Sequence, residues 1–318
     1  MNGVFRTTVR NTTSWWFGRR SNRTIESSRV LLWSTDGVRD PLAGRAGYYA
    51  LPHLKADGSR LVVHGGDEGP CAIWDIELAT ADARRRSPAG VVASSPTHVP
   101  GSSAIVFVGS VESRPWSMRE AVRRLPGMGL YFGTVPYWSQ LWLSPDVDAP
   151  ATRLTESGAS DTRPTVDPTG HRCVFLRRER KRGSHQTIWT VPLAGGPPEP
   201  LVTDVSSGRP VFGVGGEWVY FFATRGRESR LARVPSGGGE WELLGSDTIG
   251  LWSRGAFPTP DGRAILYHTS LDGGSLCRLD LATGQPEVLE PGVGGGCAHP
   301  TADRDGTIAF DQIRWSTG

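Results

Sequence analysis

The sequence predicts an all-β chain folded as a single six-bladed β-propeller of four-stranded blades, and three observations support this. A unit of turn, apolar strand, turn, alternating strand and short edge strand recurs with a period in the forties. Turn formers are abundant, with 41 Gly and 24 Pro in 318 residues. The last copy of the unit is incomplete, and the N-terminal region carries the missing half. A period of this length with four short strands marks blades that cannot bury their faces without neighbours.

The clearest copy is AFPTPDGRAILYHTSLDGGSLCRLDLATGQPEVL, residues 256–289, with strands expected at Ala264–His268, Ser275–Leu281 and a short edge strand ending at Leu289. Other copies start at Leu51 (LPHLKADGSRLVVHGG), Ser95 (SPTHVPGSSAIVFVGS), Arg163 (RPTVDPTGHRCVFLRR), Arg209 (RPVFGVGGEWVYFFAT) and His299 (HPTADRDGTIAFDQIR). Each start leads into a period-2 apolar run, the mark of a strand, and is followed by a second alternating strand and a turn. The final copy ends after two strands, while RVLLWSTDGVRDPLAG (29–44) has the pattern of the outer pair. The N-terminal outer strands are therefore expected to complete the blade begun at the C-terminus, which closes the ring and removes its free edges. Residues 1–28 are expected to form an arm and 29–318 the propeller. One insertion, 111–137, holds a short helix followed by an apolar aromatic stretch and is expected to act as a lid, with a dimer contact or packing on a neighbouring blade as the alternatives.

The turn-strand unit resembles the repeat of the TolB-like, WD40-like (PD40-type) six-bladed propeller family, whose blades carry P-x-x-S-P-D-G-x-x-I-x-F-x-S. The match is closest at Phe257–Ser270 and covers roughly Arg29–Trp315. The resemblance implies the fold and says little about activity, because function resides in sites grafted onto a fold.

No apolar span of about 20 residues occurs, so no membrane partner is expected. The N-terminus lacks the continuous apolar core of a secretory signal, and Cys71, Cys173, Cys277 and Cys297 lack paired spacing. Both point to the cytoplasm and to reduced cysteines. The chain's net charge is only +3, but it sorts by position. Connections into first strands and between second and third strands carry Arg163, Arg177, Arg178, Arg180, Lys181, Arg182, Arg209, Arg225, Arg227 and Arg254, whereas the opposite turns carry Asp57, Asp167, Asp261, Asp303 and Asp305. A polarised disc that attracts anions is expected.

Arg163 and Arg209 hold one repeat position and Arg254 lies one residue off, so three guanidinium groups are expected at the funnel, where a planar fork suits carboxylate or phosphate. Asp161 and Trp252 join this candidate lining, with pairing to Asp161 or stacking on Trp252 as the structural alternative. His64, Trp116 and Tyr137 complete the expected substrate contacts. His53 and His299, with Tyr48 or Tyr49, are the candidates for proton transfer. His98 has the opposite strand parity and is expected to turn away from the other two histidines. No metal site and no cofactor are therefore expected.

These features favour an enzyme of lyase, cyclase or hydrolase type acting on an anionic small molecule in the funnel. Within the resembled superfamily, oligogalacturonate lyases hold metal-binding histidines in the funnel, but their ligand set does not map onto this chain. The alternative is a scaffold whose basic face docks an acidic protein partner. Nucleic-acid binding ranks last, because no aromatic residues interleave with the arginines at stacking intervals.

Overall fold

The structure is a computed structural model that describes residues 14–16, 19–21, 23–34, 36–42, 48–66, 71–111, 139–179, 186–204, 206–225, 228–244, 256–268, 275–290 and 296–317. Six antiparallel sheets form the blades of a propeller, and no helix occurs among the described residues. The first blade comprises Tyr48–Leu54, Arg60–Gly66, Ala72–Glu77 and Ala83–Arg85, in that order from inner to outer strand. Inner strands of the second, third and fourth blades begin at Val91, Ser160 and Ser206, and that of the fifth is Ala256–Pro258.

The sixth blade is composite. Its inner pair is Gly296–Ala302 and Ile308–Thr317, and its outer pair is Arg23–Ser34 and Gly37–Arg39. The N-terminal strand starts at Arg23, inside the segment assigned to the arm, because the C-terminal strand runs on to Thr317 and pairs with it there. Upstream, Ser14–Trp16 and Arg19–Ser21 form a two-stranded ribbon. The insertion over 112–138 lies outside the described residues.

Each blade has two apolar faces, and each face packs on a neighbouring blade. The core is accordingly six separate clusters, one at each joint. Val174, Leu176 and Ile188 meet Phe212, Phe221 and Val234 between the third and fourth blades. Val30, Leu32 and Ala309 meet Leu54, Leu61 and Ile76 across the ring closure. This is why strands such as AILYH are buried at every position rather than at alternate ones.

The repeated turn aspartates serve the backbone. Asp167 accepts from the N–H groups of His171 and Arg172 at 2.7 and 2.9 Å, and Asp303 accepts from those of Asp305 and Thr307 at 3.0 and 2.8 Å. Asp57 and Asp261 do the same for Ser59 and Arg263, and their carboxyls are held below the usual range largely by these bonds and by hydroxyl donors. The acidic face of the disc is thus mainly a set of turn caps.

Candidate functional site: the inner-strand ring

The inner strands carry a second repeat, visible only in the backbone. In the first blade Ala50 pairs with His64 and His53 with Val62, so Leu51 and Pro52 together oppose Val63 alone. The same one-residue bulge recurs at Ser95–Pro96, Arg163–Pro164 and His299–Pro300. Each residue before the proline lies in the left-handed region, with φ of 51° at Leu51, 49° at Ser95, 56° at Arg163 and 51° at His299. Proline suits the bulge because its missing N–H has no ladder partner there. A bulge also takes the preceding side chain out of the sheet's alternation and re-aims it. Because all six inner strands run in the same direction, equal repeat positions form level rings around the axis. Leu51, Ser95, Arg163, Arg209 and His299 share one level.

Two residues further along each strand, about 7 Å at strand rise, a second level is occupied by His53, Thr97, Thr165, Val211, Phe257 and Thr301. This level links adjacent blades. Thr301 Oγ1 accepts the Leu54 N–H at 3.0 Å, and Thr165 donates to the Pro210 carbonyl at 2.9 Å. His53 stands where these threonines stand, and its Nδ1 accepts the His98 N–H at 3.4 Å. That bond leaves the proton of the neutral ring on Nε2.

His53 also reaches across the ring. Its imidazole lies 5.9 Å, edge to face, from Phe257 of the fifth blade, although the sixth blade separates the two in ring order. Burial, the neighbouring His98 and the Arg209 charge of the fourth blade, in that order, hold its pKa well below that of an ordinary histidine. His98 is lowered to about 4, chiefly by burial. The expectation that parity turns His98 away is corrected here, since the two rings lie 5.7 Å apart. Parity on a propeller's inner strand selects the neighbouring blade that a side chain faces, and His98 faces the first.

Arg209 is the unusual group at this site. Three arginines are buried among the described residues: Arg86, Arg177 and Arg209. Arg86 binds Asp75 at 2.9 Å, and Arg177 grips Asp161 with Nε and Nη2 at 2.7 and 2.9 Å. Arg209 is 5% exposed, its Nε has no hydrogen-bond acceptor, and no carboxylate among the described residues pairs with it. Desolvation lowers its pKa to about 10, so it remains charged at neutral pH.

The other expected residues separate. Asp161 is fully buried with both oxygens held by Arg177, which itself stacks 4.5 Å over Trp189, so Asp161 serves a structural clamp and presents no oxygen to a substrate. A cavity of about 410 Å³ beside it is lined by Ser157, Gly158, Ala159, Arg177 and Glu179. Tyr49 packs into the joint between the sixth and first blades and not into the funnel, and His64 is buried in the second strand. His299 lies 5.8 Å from His268 of the fifth blade. The Tyr48 side chain, Trp116, Tyr137, Trp252, Arg254 and the 180–182 run lie outside the described residues. Sequence reasoning missed Phe257, although the repeat signals it by placing Phe in the fifth copy where other copies have His53, Thr97, Thr165 and Thr301.

The structure is similar to a TolB-type protein from Agrobacterium tumefaciens, with a TM-score of 0.68 and 15% identity over 90% of this chain and 98% of that one. TolB from Acinetobacter baumannii also matches, with a TM-score of 0.59 and 14% identity over 92% of this chain and 67% of that one. The fold is that of the TolB-like propellers. Enzymes share this TolB-like architecture. An oligogalacturonate lyase in complex with manganese matches with a TM-score of 0.60 and 12% identity, over 93% of this chain and 83% of that one. A gluconolactonase from Xanthomonas campestris matches with a TM-score of 0.57 and 14% identity, over 93% and 90%. No known protein family and no curated protein is matched by the sequence. Among the described residues no three His, Cys, Asp or Glu side chains gather to hold a metal, and the histidines meet in twos, His53 with His98 and His268 with His299. No described helix is long and apolar enough to cross a membrane.

Proposed function

We propose that this protein is an enzyme that binds a small organic acid at the propeller axis and acts on it by lyase-, cyclase- or hydrolase-type proton transfer. The observation that carries the reading is Arg209, a buried cation with no carboxylate partner among the described residues, whose charge acts on a neutral histidine. A guanidinium stripped of water and left unpaired is costly, and an incoming carboxylate offsets that cost with two charge-assisted hydrogen bonds. His53, with Nδ1 engaged by His98, offers its Nε2–H to the bound anion as a hydrogen-bond donor. Arg163 and His299, at the same level of the ring, are the next candidates for a second cation and a proton acceptor. That propeller neighbours include a lyase and a gluconolactonase supports an enzyme over a scaffold. A reducing, cytoplasmic setting goes with this reading, since Cys71, Cys173 and Cys277 form no disulfide and burial raises the thiol pKa of Cys71 to about 11.

The reading is tested by titrating acetate, galacturonate and gluconate into the wild type and Arg209→Met, with turnover followed by proton release. Loss of a charge-assisted contact should weaken binding about ten- to a hundredfold. Unchanged binding and turnover in Arg209→Met and in the Arg163→Ala/Arg209→Ala double variant would refute it.

A further inference from the structure

We infer that the axial site takes a monocarboxylate with a compact apolar body, such as an aryl or branched alkyl acid, and not a polyhydroxylated sugar acid. This rests on the reading that the axis binds an organic anion, and it adds the chemical class of that anion.

Charge sets the number of acid groups. Of the three arginines buried among the described residues, two already hold their own carboxylates, and no described carboxylate pairs with Arg209. In a six-bladed ring the first and fourth blades are diametrically opposed. The wall facing Arg209 is therefore the 51–53 segment of the first blade, and the Arg209 charge is among the groups that lower the His53 pKa, after burial and His98. That wall begins with Leu51, which is buried at the repeat position that Arg209 occupies on its own blade. Phe257 flanks it, resting on the Leu266 and Phe310 cluster on one side and meeting the His53 ring on the other.

Between Arg209 and this wall, the second level offers one described histidine N–H, His53 Nε2–H, because His53 Nδ1 is already bonded. Thr165 and Thr301 are committed to interblade bonds, and Thr97, whose hydroxyl has no partner among the described residues, is itself buried at 1% exposure. A sugar acid would bring several hydroxyls against Leu51 and Phe257, and each one left without a partner costs about 1–3 kcal/mol. An apolar body meets no such penalty and gains from leaving water.

The experiment is calorimetric titration of the full chain with phenylacetate, acetate and galacturonate, repeated on Phe257→Ala, Leu51→Asn and Arg209→Met. Asn tolerates the left-handed backbone at position 51, so this variant tests the wall even where Phe257→Ala fails to fold. Phenylacetate should bind at least tenfold more tightly than acetate or galacturonate, and either wall variant should erase that margin while acetate binding persists. Galacturonate binding as tightly as phenylacetate, or a margin that survives both wall substitutions, would overturn the inference and leave the anion site standing. Binding that is indifferent to Arg209→Met, or no binding by any of the three acids, would overturn both.

Discussion

An anion-binding role makes Arg209 a residue kept at the expense of stability. Apolar replacement of an unpaired buried cation removes a desolvation cost, so Arg209→Met should raise the unfolding free energy by about 1–3 kcal/mol while abolishing acid binding. Equal stability, or a loss, in chemical denaturation would mean that Arg209 is anchored by a partner and serves the fold. The histidines make a separate prediction. His53 and His98 titrate below the unfolded value of about 6.5. Between that value and the folded ones the unfolded chain binds more protons, so stability is complete above about pH 7 and declines as pH falls toward about 4. The expected slope is about 1.4 kcal/mol per pH unit for each histidine. Denaturant melts from pH 7 to 4 should show it, and His98→Asn should flatten it by about one histidine's share.

Among the strands and turns, polar clamps at the joints matter as much as the apolar clusters. Arg86 leaves the outer edge of the first blade, binds Asp75, and donates to Ser144 Oγ at 3.1 Å and the Ser103 carbonyl at 2.9 Å on the second. Asp75→Ala would leave that buried guanidinium without its charge partner and should cost about 3–5 kcal/mol in a urea melt. Asp167→Ala, which orphans two turn N–H groups, should cost about 1–2 kcal/mol. The blades themselves were readable because turn, alternation and edge strand are local signals repeated in sequence. The ring was not. The bulges at Leu51, Ser95, Arg163 and His299 re-aim the residue before each proline, whereas His53 and His98 lie beyond them and meet because opposite parities on neighbouring blades face one another. Arg177 looked like a member of a cationic face for a related reason. Its partner Asp161 is sixteen positions away in sequence but lies opposite it on the adjacent strand.

In the whole molecule, closure and site depend on each other. The sixth blade joins Ile308–Thr317 to Arg23–Ser34, and its inner strand places Thr301 against Leu54 of the first. Removing residues 1–39 would expose the edge of the C-terminal strand and loosen the joint that holds the 51–53 wall opposite Arg209. Such a chain should lose its single cooperative melt and associate through the bare edge. The account as a whole is decided by a crystal soaked with 4-bromobenzoate, with bromine located by anomalous scattering. The carboxylate should lie on Arg209 with bromine toward Leu51 and Phe257. Bromine found only on the outer surface, with Arg209 bonded to a carboxylate of its own chain, would contradict the proposed site.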